Sequence, residues 1–266
     1  MPSPAEPAGG SSPGASRAGG PPAWLWLPEL ASRHGELVLD GDDAHYVARV
    51  CRAAIGDIVT ATDGAGAVAT LEVLAVRGEV RTRVVTLAEV PAGPRAVVAC
   101  GAPERDRADW LVEKLAELGV AELQPLECHR GGWERFASRR ERFERLATAA
   151  LRQSRRAWKL RIAEPLPVDA WAAGLPGGSV RWLADAEGER GPRPGAAELE
   201  VSAVGPASGF SPNERETLRS AGFRPLRLAS ARLRTETAAF AWASLWAAGE
   251  AATGNGQFER NRPGIR

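Results

Sequence analysis

The chain has 266 residues, 44% hydrophobic and 25% charged, with a formal net charge of +1. That suits about two soluble domains and excludes a molecule drawn to polyanions by its overall charge alone. Three well-separated cysteines (Cys51, Cys100, Cys128) without a C-x-x-C exclude a disulfide framework and a cysteine zinc site; they fit a reducing, cytoplasmic setting.

Residues 1–22 are almost all Pro, Gly, Ser and Ala and lack the apolar core of a signal peptide, so they read as a disordered tail. Residues 24–92 read as a small β-rich domain. Trp24-Leu25-Trp26-Leu27 opens it and Glu36 to Leu39 is a short strand. Asp42-Asp43 caps a helix running through His45 and Arg49 to Arg52. Ile58 to Thr62 turns at Asp63-Gly64 into strands Val68 to Val76 and Val80 to Val90. Pro91 to Pro94 is a linker. Residues 95–249 alternate strand and helix, which predicts an α/β domain. Ala96 to Cys100 is a continuous apolar run, as expected of a buried parallel strand. A helix over Arg107–Leu118, a strand over Glu122–Leu126, a long basic helix over Glu134–Trp158 and a strand over Val180–Ala184 follow. Glu187 to Ala197 is a charged Gly/Pro loop. Residues 250–266 read as a flexible tail. No apolar run approaches membrane-spanning length, so no membrane partner is expected.

The stretch 200–238 carries the most information. It reads as strand Val201–Val204, glycine loop Gly205–Phe210, helix, strand Arg224–Ala229, polar loop Ser230–Thr237, helix. Ser211-Pro212-Asn213-Glu214 is a helix start with a capping box. Two such units favour parallel strands, so both loops leave one sheet edge, where ligands of open α/β sheets bind. No G-x-G-x-x-G or P-loop is present. His34, His45 and His129 lie apart, and no metal is expected. Arg130 to Arg161 holds eleven basic against three acidic residues, a candidate phosphate-binding face.

Four motifs spread over residues 24–248 belong together: His45 to Arg52, Glu113-Lys114 to Gly119-Val120, Gln153-Ser154-Arg155-Arg156, and Arg232-Leu233-Arg234-Thr235-Glu236-Thr237-Ala238. Together they resemble the bacterial small-subunit ribosomal RNA methyltransferase E family, SPOUT-superfamily enzymes that methylate a 16S rRNA uridine at N3. The resemblance implies a PUA-like β-barrel followed by a SPOUT-type trefoil-knotted α/β domain. It implies S-adenosyl-L-methionine as cofactor, 16S rRNA of the small ribosomal subunit as partner, and a homodimer. Three departures stand out. Gly205-Pro206-Ala207-Ser208-Gly209 replaces the family's G-P-E-G-G, Arg152 replaces a Glu, and Ala229-Ser230 replaces a usual Leu-Gly. They keep open an alternative, a non-catalytic RNA-binding assembly factor.

On this reading Ala184, Gly205, Pro206, Gly209, Leu228, Ala229, Leu233, Thr235 and Thr237 hold the cofactor. Arg234 is the expected stabiliser of negative charge and Glu236 a possible base, although a dipole-favoured first-turn Glu is an equally good reading. Arg49, Arg52, Arg130, Arg155 and Arg156 are the expected RNA contacts. Phe240, Trp242, Leu245 and Trp246 on the last helix are expected to be exposed for dimerisation.

Overall fold

The computed structural model describes residues 23–104, 107–190 and 194–252. The expected tail at residues 1–22 lies outside them. The other expected tail is partly helical, because the last helix runs to Ala252; its residues 253–266 lie outside the described set.

The N-terminal part is one five-stranded sheet: β1 (Trp24–Trp26), β2 (Glu36–Leu39), β3 (Ile58–Thr62), β4 (Ala67–Ala75) and β5 (Val80–Glu89), in the order β1-β3-β4-β5-β2. Ala67, Ala69, Leu71 and Val73 of β4 are buried and alternate with partly exposed residues, the period of a strand with one face on a core. The expected PUA-like barrel is present as a curled half-barrel. β1 and β2 stand at opposite edges and do not pair. Two register shifts between β4 and β5 bend the sheet, and four-residue β2 is too short to close it. The predicted helix is split: α1 (Gly41–His45) begins one residue before Asp42, then widens into a π-helical turn over Tyr46–Val50.

The second part holds β6 (Arg95–Cys100), α2 (Arg107–Glu117), β7 (Glu122–Glu127), α3 (Phe136–Ser154), β8 (Arg161–Ile162), β9 (Leu166–Pro167), α4 (Val168–Ala173), β10 (Val180–Glu189), β11 (Leu199–Val204), α5 (Pro212–Ser220), β12 (Arg224–Leu226) and α6 (Thr235–Ala252). Its strands are parallel in the order β12-β10-β11-β6-β7-β8, with β9 pairing along β7. Central β6 and β11 are buried on both faces, which explains their continuous apolar runs. Ala96, Val98 and Cys100 face a core built with α2, α3 and α6. Val97, Ala99, Val201 and Ala203 face a second core with α4 and α5. The α5 capping box forms as expected.

Three departures from expectation have local causes. β10 continues to Glu189, where a loop was predicted from Glu187; Gly188 allows this, since a Cβ there would meet Leu226 N at 2.6 Å. β12 stops at Leu226, before Leu228 and Ala229, because Arg227 N–H turns to donate to Glu189 O and the chain enters a loop. On α6, Trp242 and Trp246 are buried, one turn apart and facing the sheet. This corrects the expectation of four exposed side chains: Leu245 is exposed and Phe240 only partly so.

Candidate functional site

A cleft of about 240 Å³ lies at the carboxyl ends of β10, β11 and β12. Its walls come from the ends of three neighbouring strands and the loops that follow them, the position the paired βα units predict. Ala184, Gly205, Pro206, Gly209, Leu228, Ala229, Leu233 and Thr235 all line it, as does Arg234.

The two loops are tied together. Thr235 Oγ1 donates to Gly205 O at 2.9 Å, and Arg232 Nη2 donates to Ala207 O at 3.0 Å. A tight glycine loop is obligatory here. A Cβ on Gly205 would meet Phe210 N at 2.9 Å, and a Cβ on Gly101, at the end of β6, would meet the Pro206 ring at 2.6 Å. Gly209 takes the left-handed turn at φ 76°. Among the described residues the only non-glycine positions with positive φ are Glu29, Arg52 and Arg155. Ser208 therefore sits without backbone strain.

Two expected site residues stand elsewhere. Glu236 does not line the cleft. Its carboxylate is 1% exposed and faces α2, with Arg107 Nη1 at 3.0 Å from Oε1. The position suits an ion pair and corrects the reading of Glu236 as a base that reaches substrate. Thr237 is exposed and outside the cleft, one residue past the turn that Thr235 anchors. Sequence reasoning missed Asp185, Glu187, Phe210, Arg215 and Arg232, which also line it. Asp185 directly follows the mostly apolar run Val180–Ala184 of β10, which was the available signal.

The basic segment resolves into pairs. Asp109 takes both Arg139 and Arg142 at 2.6 Å, Glu164 takes Arg140, Glu144 takes Lys159 at 2.7 Å, and Glu122 takes Arg161. Arg152 lies at the junction of the two sheets. It donates to Trp24 O, pairs with Asp43 at 3.6 Å and sits over the Tyr46 ring. It is therefore remote from the cleft. Arg156 corrects another expectation. It is partly buried against Gly119 and donates to Glu117 O at 3.1 Å, closing the end of α2. Burial lowers its guanidinium from its usual value, with Glu250 opposing. Arg49, Arg52, Arg130 and Arg155 are exposed and make no ion pair among the described residues.

Burial, with Glu214 and Glu127 nearby, pushes the Cys128 thiol up to about 12. Complete burial raises Cys100 further. Neither is a nucleophile at neutral pH. Among the described residues no group of three His, Cys, Asp or Glu could hold a metal, and no helix is long and apolar enough to cross a membrane.

Residues 91–247 match the family described as an RNA methyltransferase domain, and residues 39–81 match an RNA methyltransferase PUA domain. The ribosomal RNA small subunit methyltransferase E of Synechocystis is 28% identical over 203 residues, 73% of this chain and 67% of its own. A probable rRNA-methyltransferase from Porphyromonas gingivalis superposes with a TM-score of 0.75 at 28% identity, over 87% of this chain and 99% of that one. The ribosomal RNA small subunit methyltransferase E of Neisseria gonorrhoeae, solved bound to S-adenosyl methionine, shares the fold: TM-score 0.74, 22% identity, 84% and 95% covered. The family match covers more than half of the chain, and the half-barrel and the parallel sheet fall where the two matches do: the chain belongs to the RNA methyltransferase family that includes the small-subunit ribosomal RNA methyltransferases E.

Proposed function

We propose that this protein methylates a uridine of 16S ribosomal RNA at ring nitrogen N3, using S-adenosyl-L-methionine, as a homodimer in the cytoplasm. Residues 24–92 form its RNA-binding domain and residues 95–249 its SPOUT domain, with a trefoil knot. Contacts of Glu189 with Leu226, and of Gly195 with the backbone of α6, support that threading. The observation that carries the reading is the cleft, in which two tied loops present backbone groups and apolar walls with Arg234 at the side.

The residues present fit an adenosine-bearing cofactor. Gly205, Pro206 and Gly209 bring backbone close, and Leu228 and Leu233 supply apolar walls. Bound there, S-adenosyl-L-methionine supplies an electrophilic methyl group. The tied loops hold the reactants in line, so positioning carries much of the rate. Uridine N3 must lose its proton. Arg234 is exposed on the cleft, where a guanidinium steadies the negative charge that develops on the ring. Arg49, Arg52, Arg130 and Arg155 hold RNA phosphates.

The test is mass spectrometry of 16S rRNA nucleosides from a deletion strain. Loss of one N3-methyluridine, restored by the wild-type gene, is expected; an unchanged nucleoside profile overturns the reading. Calorimetric titration with S-adenosyl-L-methionine separates this from the assembly-factor alternative, which predicts no heat.

A further inference from the structure

We propose that Ser208 is a positioning residue for RNA, not part of the cofactor surface, acting through the loop that carries Arg130. The inference rests on the RNA-methyltransferase reading above. Ser208 belongs to the glycine loop by sequence, yet it does not line the cleft. Its side chain turns outward, and Oγ donates to the backbone carbonyl of Arg130 at 2.9 Å, across 78 residues of sequence.

One further hydrogen bond holds the same loop against the same edge. His129 N–H donates to Glu214 Oε1 at 2.7 Å, while Oε2 of that carboxylate accepts from Ser211 N–H at the start of α5. Gly131 follows in the left-handed region at φ 100°, beside Pro206, where an added Cβ would come to 3.5 Å of the proline ring. The loop after β7 is thus docked onto the outer side of the glycine loop at its middle, with Ser208 holding the residue that bears the guanidinium.

The Arg130 side chain is exposed and makes no ion pair among the described residues. A flexible arginine on a free loop binds a phosphate only after losing backbone and side-chain freedom. Fixing its carbonyl reduces that loss. It also sets the distance between a phosphate on Arg130 and the methyl-transfer cleft on the other side of the same glycine loop. Glycine at position 208 could not make this bond, having no hydroxyl. The serine hydroxyl is therefore what ties the glycine loop to the residue that faces RNA.

The test is a double-mutant cycle on the full-length protein, read as the Kd for a 16S rRNA fragment and, separately, for S-adenosyl-L-methionine. Ser208→Ala should weaken RNA binding about 3- to 10-fold, the worth of one net hydrogen bond, with cofactor Kd and Tm unchanged. Ser208→Thr, which keeps the hydroxyl, should restore RNA affinity. In the Arg130→Ala background, Ser208→Ala should have no further effect, since the guanidinium it positions is gone. Fully additive losses, or a loss of cofactor affinity with RNA affinity intact, overturn the proposal. If the wild-type protein binds neither cofactor nor RNA, the failure lies with the methyltransferase reading. If the wild type binds both and Ser208→Ala matches it, the failure lies with Ser208.

Discussion

Arg234 and Glu236 are near neighbours in one motif and meet opposite surroundings. Arg234 is exposed on the cleft; Glu236 is 1% exposed and faces Arg107. Their substitutions should separate accordingly. Arg234→Ala should slow single-turnover methylation by about 100-fold, the cost of losing one donor to developing charge, with Tm unchanged. Glu236→Gln should leave the folded enzyme's rate near normal and lower stability by about 1 kcal/mol at most, because its Arg107 partner is partly exposed and the pair is screened by water. Stopped-flow methylation and thermal melts on both variants check the pair; a rate loss in Glu236→Gln without destabilisation reverses the assignment. The thiols provide a pH-dependent test. Cys128 is pushed up to about 12 and Cys100 is raised further, so at pH 8 both remain protonated and unreactive. An aromatic disulfide reagent should label Cys51 alone in native protein, and all three cysteines in denaturant. Reaction at Cys128 should begin only as pH climbs toward its raised value.

The most densely satisfied element is the turn into β11. Glu200 is 2% exposed, yet its carboxylate accepts from Trp182 Nε1 at 2.7 Å and from the backbone N–H groups of Gly195, Ala196 and Ala197. This one side chain fixes the connection between β10 and β11. Glu200→Ala strands four donors, two of them in buried bonds, and at about 1–3 kcal/mol for each buried unsatisfied group it should cost at least about 2 kcal/mol in urea unfolding. Glu200→Gln should recover part of that, since it keeps one acceptor oxygen. Glu200 reads in the sequence as a charge at a strand's start; three of its donors lie within five residues, but Trp182 is 18 residues away and becomes a neighbour only when β10 and β11 pair. The same reason explains the other misreadings. The Ser211 capping box, the β4 alternation and the apolar β6 run were legible because their causes lie within a few residues. The strands β8 and β9 span two residues each and carry no period to read. The cleft was legible as two loops at one edge, but the third wall, Asp185 to Glu187, comes from a strand whose neighbour in space is distant in sequence.

At the scale of the molecule, the first sheet is fastened to the segment between α3 and β8, mostly by backbone. Gly66 N–H donates to Ala157 O, Lys159 N–H donates to Gly64 O, and Thr62 Oγ1 donates to Ala157 O. Lys159 lies over the Trp26 ring and Arg152 over Tyr46. An RNA gripping both parts therefore meets one fixed arrangement of arginines. Most of the basic charge on α3 is already paired, because Asp109 holds Arg139 and Arg142, Glu164 holds Arg140 and Asp43 holds Arg152. Charge counted along the sequence overstates what faces solvent. The salt dependence of RNA binding should expose the difference. Each phosphate contact removed lowers the slope of log affinity against log salt by about one unit. Arg49→Ala and Arg155→Ala should each flatten it by that amount, with Tm unchanged. Arg139→Ala should leave the slope as it is and lower Tm, since it removes an ion pair held at 2.6 Å and only partly exposed to water. A flattened slope in Arg139→Ala would mean that Asp109 yields its partner to RNA, and that the α3 face opens on binding; an unchanged slope in Arg49→Ala and Arg155→Ala would place the RNA on a different surface.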